Sequence, residues 1–214
     1  MKNFNVWRVL TLVLVIVMSI SYIALDTERK NYALVAEDTA RKVQQAEYNN
    51  ETLNLSIEFG FDPMIVIITR ALAANAVHKK TDHNPATWRF VKSERDLTYL
   101  ILSLIQVESR GNTRAIGSDG NGSYGLTQLL LTTARTYDKG VTEAELMTIP
   151  KNLGIAMNHF IDLLEKYHGN FTLAVLAWNR GSGAVDRSIA LGNSPENGYA
   201  RRVFENAALR NAAN

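Results

Sequence analysis

Residues 93–112 read SERDLTYLILSLIQVESRGN, and this stretch decides the fold. Ser93 stands where a helix N-cap belongs, with Asp96 three residues on to complete a near capping box. Apolar residues then recur at Leu97, Leu100, Ile101, Leu104 and Ile105, the spacing of a core-facing helical stripe. Gly111 is placed to close the helix as a C-cap. The next position on the stripe is Glu108. A carboxylate at the end of a buried stripe is costly to ionise, so its pKa rises, as a general acid working near neutrality requires. An ordinary helix-end Glu paired with Arg110 or Arg114 satisfies the same spacing, and periodicity leaves both readings open.

Toward the C-terminus, Ile116 to Asn121 reads as a loop, and Ser123-Tyr124-Gly125 leads into an apolar stretch from Leu126 to Leu131. Gly125 points to a close backbone approach, and Gln128 is the polar group of that stretch able to bind a hydroxyl or amide. Thr142 and Glu145 form a capping box for a short turn. Pro150 opens a helix carrying Leu153, Met157, Phe160, Ile161 and Leu164, which Gly169 ends. Thr172 to Trp178 is a short buried helix. It runs into a turn at 179–183, where Trp178 and Asn179 are placed to face a cleft. Ser194-Pro195 is expected to open a last helix with Tyr199, Val203 and Phe204. No strand pattern stands out, so the fold class is all-α.

Toward the N-terminus, Phe61 to Val77 is expected to be a helix with Asp62 as N-cap and Pro63 at its first position. His78 to Thr87 reads as a linker. Residues 27–58 lack Gly and Pro and favour helix, with a thin stripe of Tyr32, Val35, Thr39 and Val43, in the manner of a stalk. Val9 to Leu25 holds seventeen residues without a charge. Extended to Val6, the run gives about 30 Å of helix, the thickness of a bilayer core. Lys2 and Arg8 precede it, while Asp26, Glu28, Arg29 and Lys30 cancel after it, which keeps the N-terminus cytoplasmic and exports the rest. The expectation is an uncleaved single-pass anchor in the cytoplasmic membrane at 1–26, contacting lipid through 6–25. A stalk and linker follow at 27–92 and an extracytoplasmic domain at 93–210. A signal peptide cut after Ser21 is the alternative.

The 214 residues carry 23 basic and 21 acidic side chains and no Cys, which excludes disulfides, cysteine nucleophiles and thiolate metal sites. Residues 93–214 hold twelve charges of each sign, so no strongly basic domain is present and no nucleic-acid partner is expected. His78, His83, His159 and His168 show no metal-ligand spacing and are assigned to surface or linker; neither metal nor cofactor is expected.

Four segments together carry a resemblance: ESRGN at 108–112, SYGLTQ at 123–128, AWNRG at 177–181 and ENGYARRV at 196–203. Their order and spacing resemble the soluble lytic transglycosylase (SLT) domain, whose lysozyme-like fold is related to goose-type lysozyme, over about residues 93–207. The resemblance implies that Glu108 is the catalytic acid and then base, cleaving the β-1,4 bond between N-acetylmuramic acid and N-acetylglucosamine in peptidoglycan glycan strands. It implies glycan-binding roles for Ser123, Gly125, Gln128, Asn179 and Tyr199, with Trp178 in the place of the family's usual Tyr. The chain departs from the pattern at Thr127 for a common Met, at Leu130-Leu131 for an apolar-Pro pair, and at Arg180 for a common Ala.

Glycosidases that hydrolyse their substrate usually need two carboxylates. A lytic transglycosylase uses one, because the muramyl C6 hydroxyl is the nucleophile and a 1,6-anhydro ring results. Asp119 is the nearest second carboxylate, but it lies in GSDGNG, where Asp favours a turn. Were it catalytic, the enzyme would be an inverting muramidase. A glycan-binding module without activity is the reading an intact Glu108 opposes, and a virion or secretion-channel component that opens the wall locally is compatible with activity.

Overall fold

A computed structural model describes residues 6–78, 93–118 and 122–205. The chain divides into two units, residues 1–51 and 52–214. Helix α1, Val6–Phe59, begins in the first and ends in the second. The apolar run and the stalk therefore form one continuous helix, since nothing in residues 6–59 breaks it: Gly and Pro are both absent. In the first unit α1 is exposed and carries i,i+4 ion pairs Asp26–Lys30, Glu37–Arg41 and Asp38–Lys42, each adding only a few tenths of a kcal/mol.

Among the described residues, no helix is long and apolar enough to cross a membrane. The membrane-spanning anchor expected at 6–25 is thus not supported.

The second unit is built round helix α3, Glu94–Glu108, after helix α2, Pro63–His78. The Ser93–Asp96 capping box forms, and Asp62 caps α2 by accepting from the Met64 N–H. The expected stripe of α3 is buried, but so are Thr98, Tyr99, Leu102 and Ser103, so α3 is enclosed on all sides rather than on one face. Arg70, which breaks the apolar run of α2, is buried with it; its guanidinium reaches Glu94 at 3.0 Å and Thr52 at 2.8 Å. The linker expected at 78–87 lies outside the described residues from 79 on, and His78 ends α2.

A two-stranded antiparallel ribbon follows α3: β1, Ser123–Tyr124, pairs with β2, Leu129–Leu130, in the register Ser123 to Leu130 and Tyr124 to Leu129. The fold is mostly helical, in keeping with the all-α expectation, and this hairpin is a small addition whose two-residue strands are too short to show a period. Helices α4 (Leu131–Tyr137), α5 (Glu143–Leu146), α6 (Ile149–Lys166) and α7 (Phe171–Arg180) come next, then α8 (Ser182–Ala190) and α9 (Tyr199–Phe204). α3 packs against α2 and α9, and α6 packs against α2 and α7.

Three boundaries correct the sequence reading. α3 stops at Glu108 with Ser109 as C-cap, and Arg110 and Gly111 both take left-handed φ beyond it, so Gly111 is not the cap residue. The turn expected at 179–183 shrinks to Gly181, because α7 runs on through Arg180 and α8 starts at Ser182; the one fully buried residue of α8, Val185, is too little pattern to see in sequence. α9 begins at Tyr199 and not at Ser194-Pro195. Ser194, Glu196 and Asn197 side chains accept from the backbone N–H groups of Glu196, Asn197, Gly198 and Tyr199, and those local bonds hold 194–198 out of the helix.

Candidate active site

Glu108 is the last residue of α3, partly buried, and its carboxylate accepts from the Tyr199 hydroxyl at the start of α9. Tyr199 itself is 2% exposed. Burial lifts the Glu108 carboxyl above its ordinary range, and the Tyr199 hydroxyl and the Arg202 charge offset that rise in part. Burial likewise raises the Tyr199 phenol, with the adjacent Glu108 carboxylate adding to the effect. Tyr199 therefore stays a proton donor to Glu108 across the physiological range. Arg202 lies 5.6 Å from the Tyr199 ring centre, a cation–π arrangement one turn along α9. The hydrogen-bond partner of Glu108 is thus a tyrosine 91 residues away rather than Arg110 or Arg114.

Asn179 connects to this pair through one intermediary. Asn197 donates from Nδ2 to Asn179 Oδ1 at 2.9 Å and accepts from the Tyr199 N–H at 3.1 Å, so the end of α7 sets where α9 begins. Arg180 donates to the Pro195 carbonyl and ties the same loop down. Trp178 packs between two apolar clusters, 5.2 Å from the His159 ring centre and 6.2 Å from Phe160. His159 is half-buried, against the surface position expected for it. Its imidazole is held below its ordinary pKa by burial, an effect Asp162 opposes.

Ser123, Gly125 and Gln128 come together in the hairpin. Ser123 donates to Gln128 Oε1 at 3.2 Å, and Gln128 Nε2 donates to the carbonyls of Ala115 and Gly125 at 3.1 and 3.0 Å. Gln128 sits at φ 48, a left-handed conformation that these side-chain bonds hold in place. The Nε2 donors are thereby used within the protein, and Oε1, which already accepts from Ser123, keeps one lone pair to accept a further hydrogen bond. Gly125 N donates to Ala115 O at 2.8 Å, so the hairpin is fastened to the loop that leaves Glu108.

Asn152, which sequence reasoning passed over, holds this loop from beneath. It is fully buried on α6; its Oδ1 accepts from Thr127 N and Oγ1 at 3.1 and 2.8 Å, and its Nδ2 donates to Tyr124 O and Leu146 O at 3.0 and 2.8 Å. A polar residue in the middle of an apolar helix face was the available signal. The Leu131 N–H donates to Gly122 O at 3.1 Å, a bond that a proline there cannot make. The three departures at Thr127, Leu131 and Arg180 thus each make a local hydrogen bond.

Gly125 lies at φ 75, and a Cβ on it would stand 2.1 Å from Leu146 O and 2.5 Å from Asn152 Nδ2. Gly125→Ala is expected to lower stability by about 2–4 kcal/mol through backbone strain and overpacking together, as thermal unfolding would register. A melting curve that matches wild type would show that the loop yields without cost.

Asp119 lies outside the described residues. Among the described residues, no group of three or more His, Cys, Asp or Glu is placed to hold a metal ion.

Residues 91–198 match a known protein family, described as the transglycosylase SLT domain. The chain belongs to that family. An SLT domain carries a lytic-transglycosylase-type, peptidoglycan-degrading function, and its largely helical, lysozyme-like fold agrees with the architecture above. The matched span includes Glu108, the hairpin and Asn179, and it ends one residue before Tyr199.

Proposed function

We propose that this SLT domain cleaves the β-1,4 bond between N-acetylmuramic acid and N-acetylglucosamine and leaves a 1,6-anhydromuramyl end. The observation that carries the reading is the Glu108 carboxyl, raised in pKa by burial and aligned by the Tyr199 hydroxyl. Protonated Glu108 donates to the glycosidic oxygen as the C1–O bond breaks and the N-acetylglucosamine leaves. The muramyl C6 hydroxyl oxygen then bonds to C1, and the Glu108 carboxylate takes the proton that hydroxyl loses. The acid is regenerated, and no second carboxylate is needed. Gln128 Oε1 and Asn179 flank the assignment as glycan-binding groups.

Product analysis tests this directly. Mass spectrometry of digested peptidoglycan is expected to show anhydro ends one water lighter than reducing ends, and Asp119→Asn is expected to keep most activity. Mainly borohydride-reducible ends, together with an inactive Asp119→Asn variant, would instead give Asp119 the task of positioning water in an inverting muramidase.

The substrate lies outside the cytoplasmic membrane, and the apolar run at 9–25 with Lys2 and Arg8 before it supports export of the domain to that side. Such a placement suits a wall-opening component of an envelope-spanning, secretion or virion assembly. Full-length protein is expected in the membrane fraction; an uncleaved chain recovered as soluble protein would overturn the placement.

A further inference from the structure

Where α2 packs on α6 in the second unit, the two helices leave a cavity of about 310 Å³ between them, the low end of what holds a small ligand. Leu72 and Ala76 of α2 and Met157 and Ile161 of α6 make its apolar walls. Asn75, Asn158, Asp162 and Tyr137, the last residue of α4, supply its polar groups. The α2 wall lies outside residues 91–198, so the cavity is not a property of the matched SLT span alone.

Asp162 is the charged group of the lining. Its Oδ2 accepts from the Tyr137 hydroxyl at 2.5 Å. That hydroxyl has one proton to give, so its 3.1 Å contact with His159 Nδ1 is a bond in which the imidazole N–H donates to the phenol oxygen. Burial holds His159 below its ordinary pKa, so near neutrality it offers this bond without a full charge. Lys166, one turn beyond Asp162 on α6, is drawn to Asp186 at 2.7 Å instead. Among the described residues Asp162 Oδ1 therefore has no donor, and the carboxylate has no cation. Asn75 and Asn158 stand in helix interiors, where Asn ranks below Ala, and neither amide bonds to another described residue.

We propose that this cavity binds a primary ammonium group carried on an aliphatic chain. Its lining holds a carboxylate and no Lys, Arg or His, which opposes an anion. Because Tyr137 occupies Oδ2, one carboxylate oxygen remains, whereas a guanidinium fork is best met by two. Three acceptors, Asp162 Oδ1 and the Asn75 and Asn158 carbonyls, match the three protons of an ammonium. The methylenes behind it lie along Leu72, Ala76, Met157 and Ile161, as long amine side chains lie on apolar surface. A side-chain amine on the peptides of peptidoglycan and a free alkylamine share this chemistry, and only the first rests on the reading of the substrate given above.

The probe is Nα-acetyl-lysine amide, whose one cation is its ε-ammonium, followed by saturation-transfer NMR on full-length protein in detergent micelles. A Kd of about 1–10 mM or tighter is expected for so small a ligand. The Nε-acetylated analogue should bind at least about tenfold more weakly, and Asp162→Asn, which keeps an acceptor for Tyr137 but removes the charge, should cost a similar factor. Nα-acetyl-arginine amide should also bind more weakly. Asn158→Ala should weaken binding while its melting temperature stays at or above wild type, because Ala is the better helix former, and that separates lost binding from lost folding. Equal binding of the Nε-acetylated analogue, unchanged affinity in Asp162→Asn, or no saturation transfer at tens of millimolar would each overturn the proposal. Acetylating the amines of peptidoglycan then distinguishes the sources. A KM raised several-fold for wild type and unmoved for Asp162→Asn assigns the cavity to the peptide amine, and a KM unmoved in both, with lysine amide still bound, assigns it to a free alkylamine. A protein that binds the amide yet cleaves no peptidoglycan would remove the catalytic reading and leave the cavity's ligand standing.

Discussion

Glu108→Gln is expected to lower muropeptide release by about 10²–10⁴-fold, the span that a general acid–base group contributes. Gln keeps the shape of the side chain and still accepts from the Tyr199 hydroxyl, yet it has no acidic proton to give the glycosidic oxygen. In the wild-type enzyme the activity should carry an alkaline limb. Glu108 must be protonated to act, and burial sets the pH at which it loses that proton above the ordinary carboxyl value. The same shift makes a stability prediction of opposite character. Below the ordinary carboxyl pKa, folded and unfolded chains are both protonated at this site and the shift has no adverse effect. As pH rises through the raised value the folded chain must ionise a buried carboxyl, so stability present at low pH is lost. Glu108→Gln never ionises. Its melting temperature is therefore expected to exceed wild type near neutrality and to converge with it in acid. An active Glu108→Gln enzyme would remove the central assignment, and a melting difference independent of pH would remove the burial argument.

What was legible in the sequence follows from how local each feature is. The Ser93 capping box, the Asp62 cap and the Thr142–Glu145 box are encoded within four residues, and all three form. Glu108 was legible because five apolar residues on one spacing led to it. Its partner was not, since Tyr199 reaches it across 91 residues, and no spacing rule predicts a contact made by packing α9 against α3. The start of α9 was misplaced for a related reason. Ser-Pro is a good helix-opening signal, but three side chains in 194–197 bond the backbone locally and delay the helix to Tyr199. Gln128 shows a subtler limit. Its chemistry was read as glycan-facing, whereas the structure spends both amide protons on Ala115 and Gly125, so the residue shapes the loop as well as offering an oxygen. α8 was invisible because a helix with one fully buried residue leaves no stripe.

Asn152→Asp is expected to have the second large effect, on stability rather than chemistry. The replacement is nearly isosteric, and one oxygen can still accept from Thr127 N and Oγ1. The other takes the place of an NH₂ that donates to the carbonyls of Tyr124 and Leu146, so two donors vanish and a negative charge faces two carbonyl oxygens. Each carbonyl left unpaired costs about 1–3 kcal/mol, and the unpaired charge is itself buried, so a loss of about 3–5 kcal/mol is expected at neutral pH. For a domain of this size that corresponds to a fall in melting temperature of roughly 6–20 °C. The burial that penalises the charge also raises the pKa of the new carboxyl, and once protonated it can donate to one of the two carbonyls. The gap to wild type should therefore narrow as pH falls, as it does for Glu108→Gln, except that here the variant is the less stable of the two chains. A purely steric role for Asn152 predicts a gap that does not change with pH. A melting temperature within about 2 °C of wild type at neutral pH would mean that the hairpin carrying Ser123, Gly125 and Gln128 is held by something other than this buried amide.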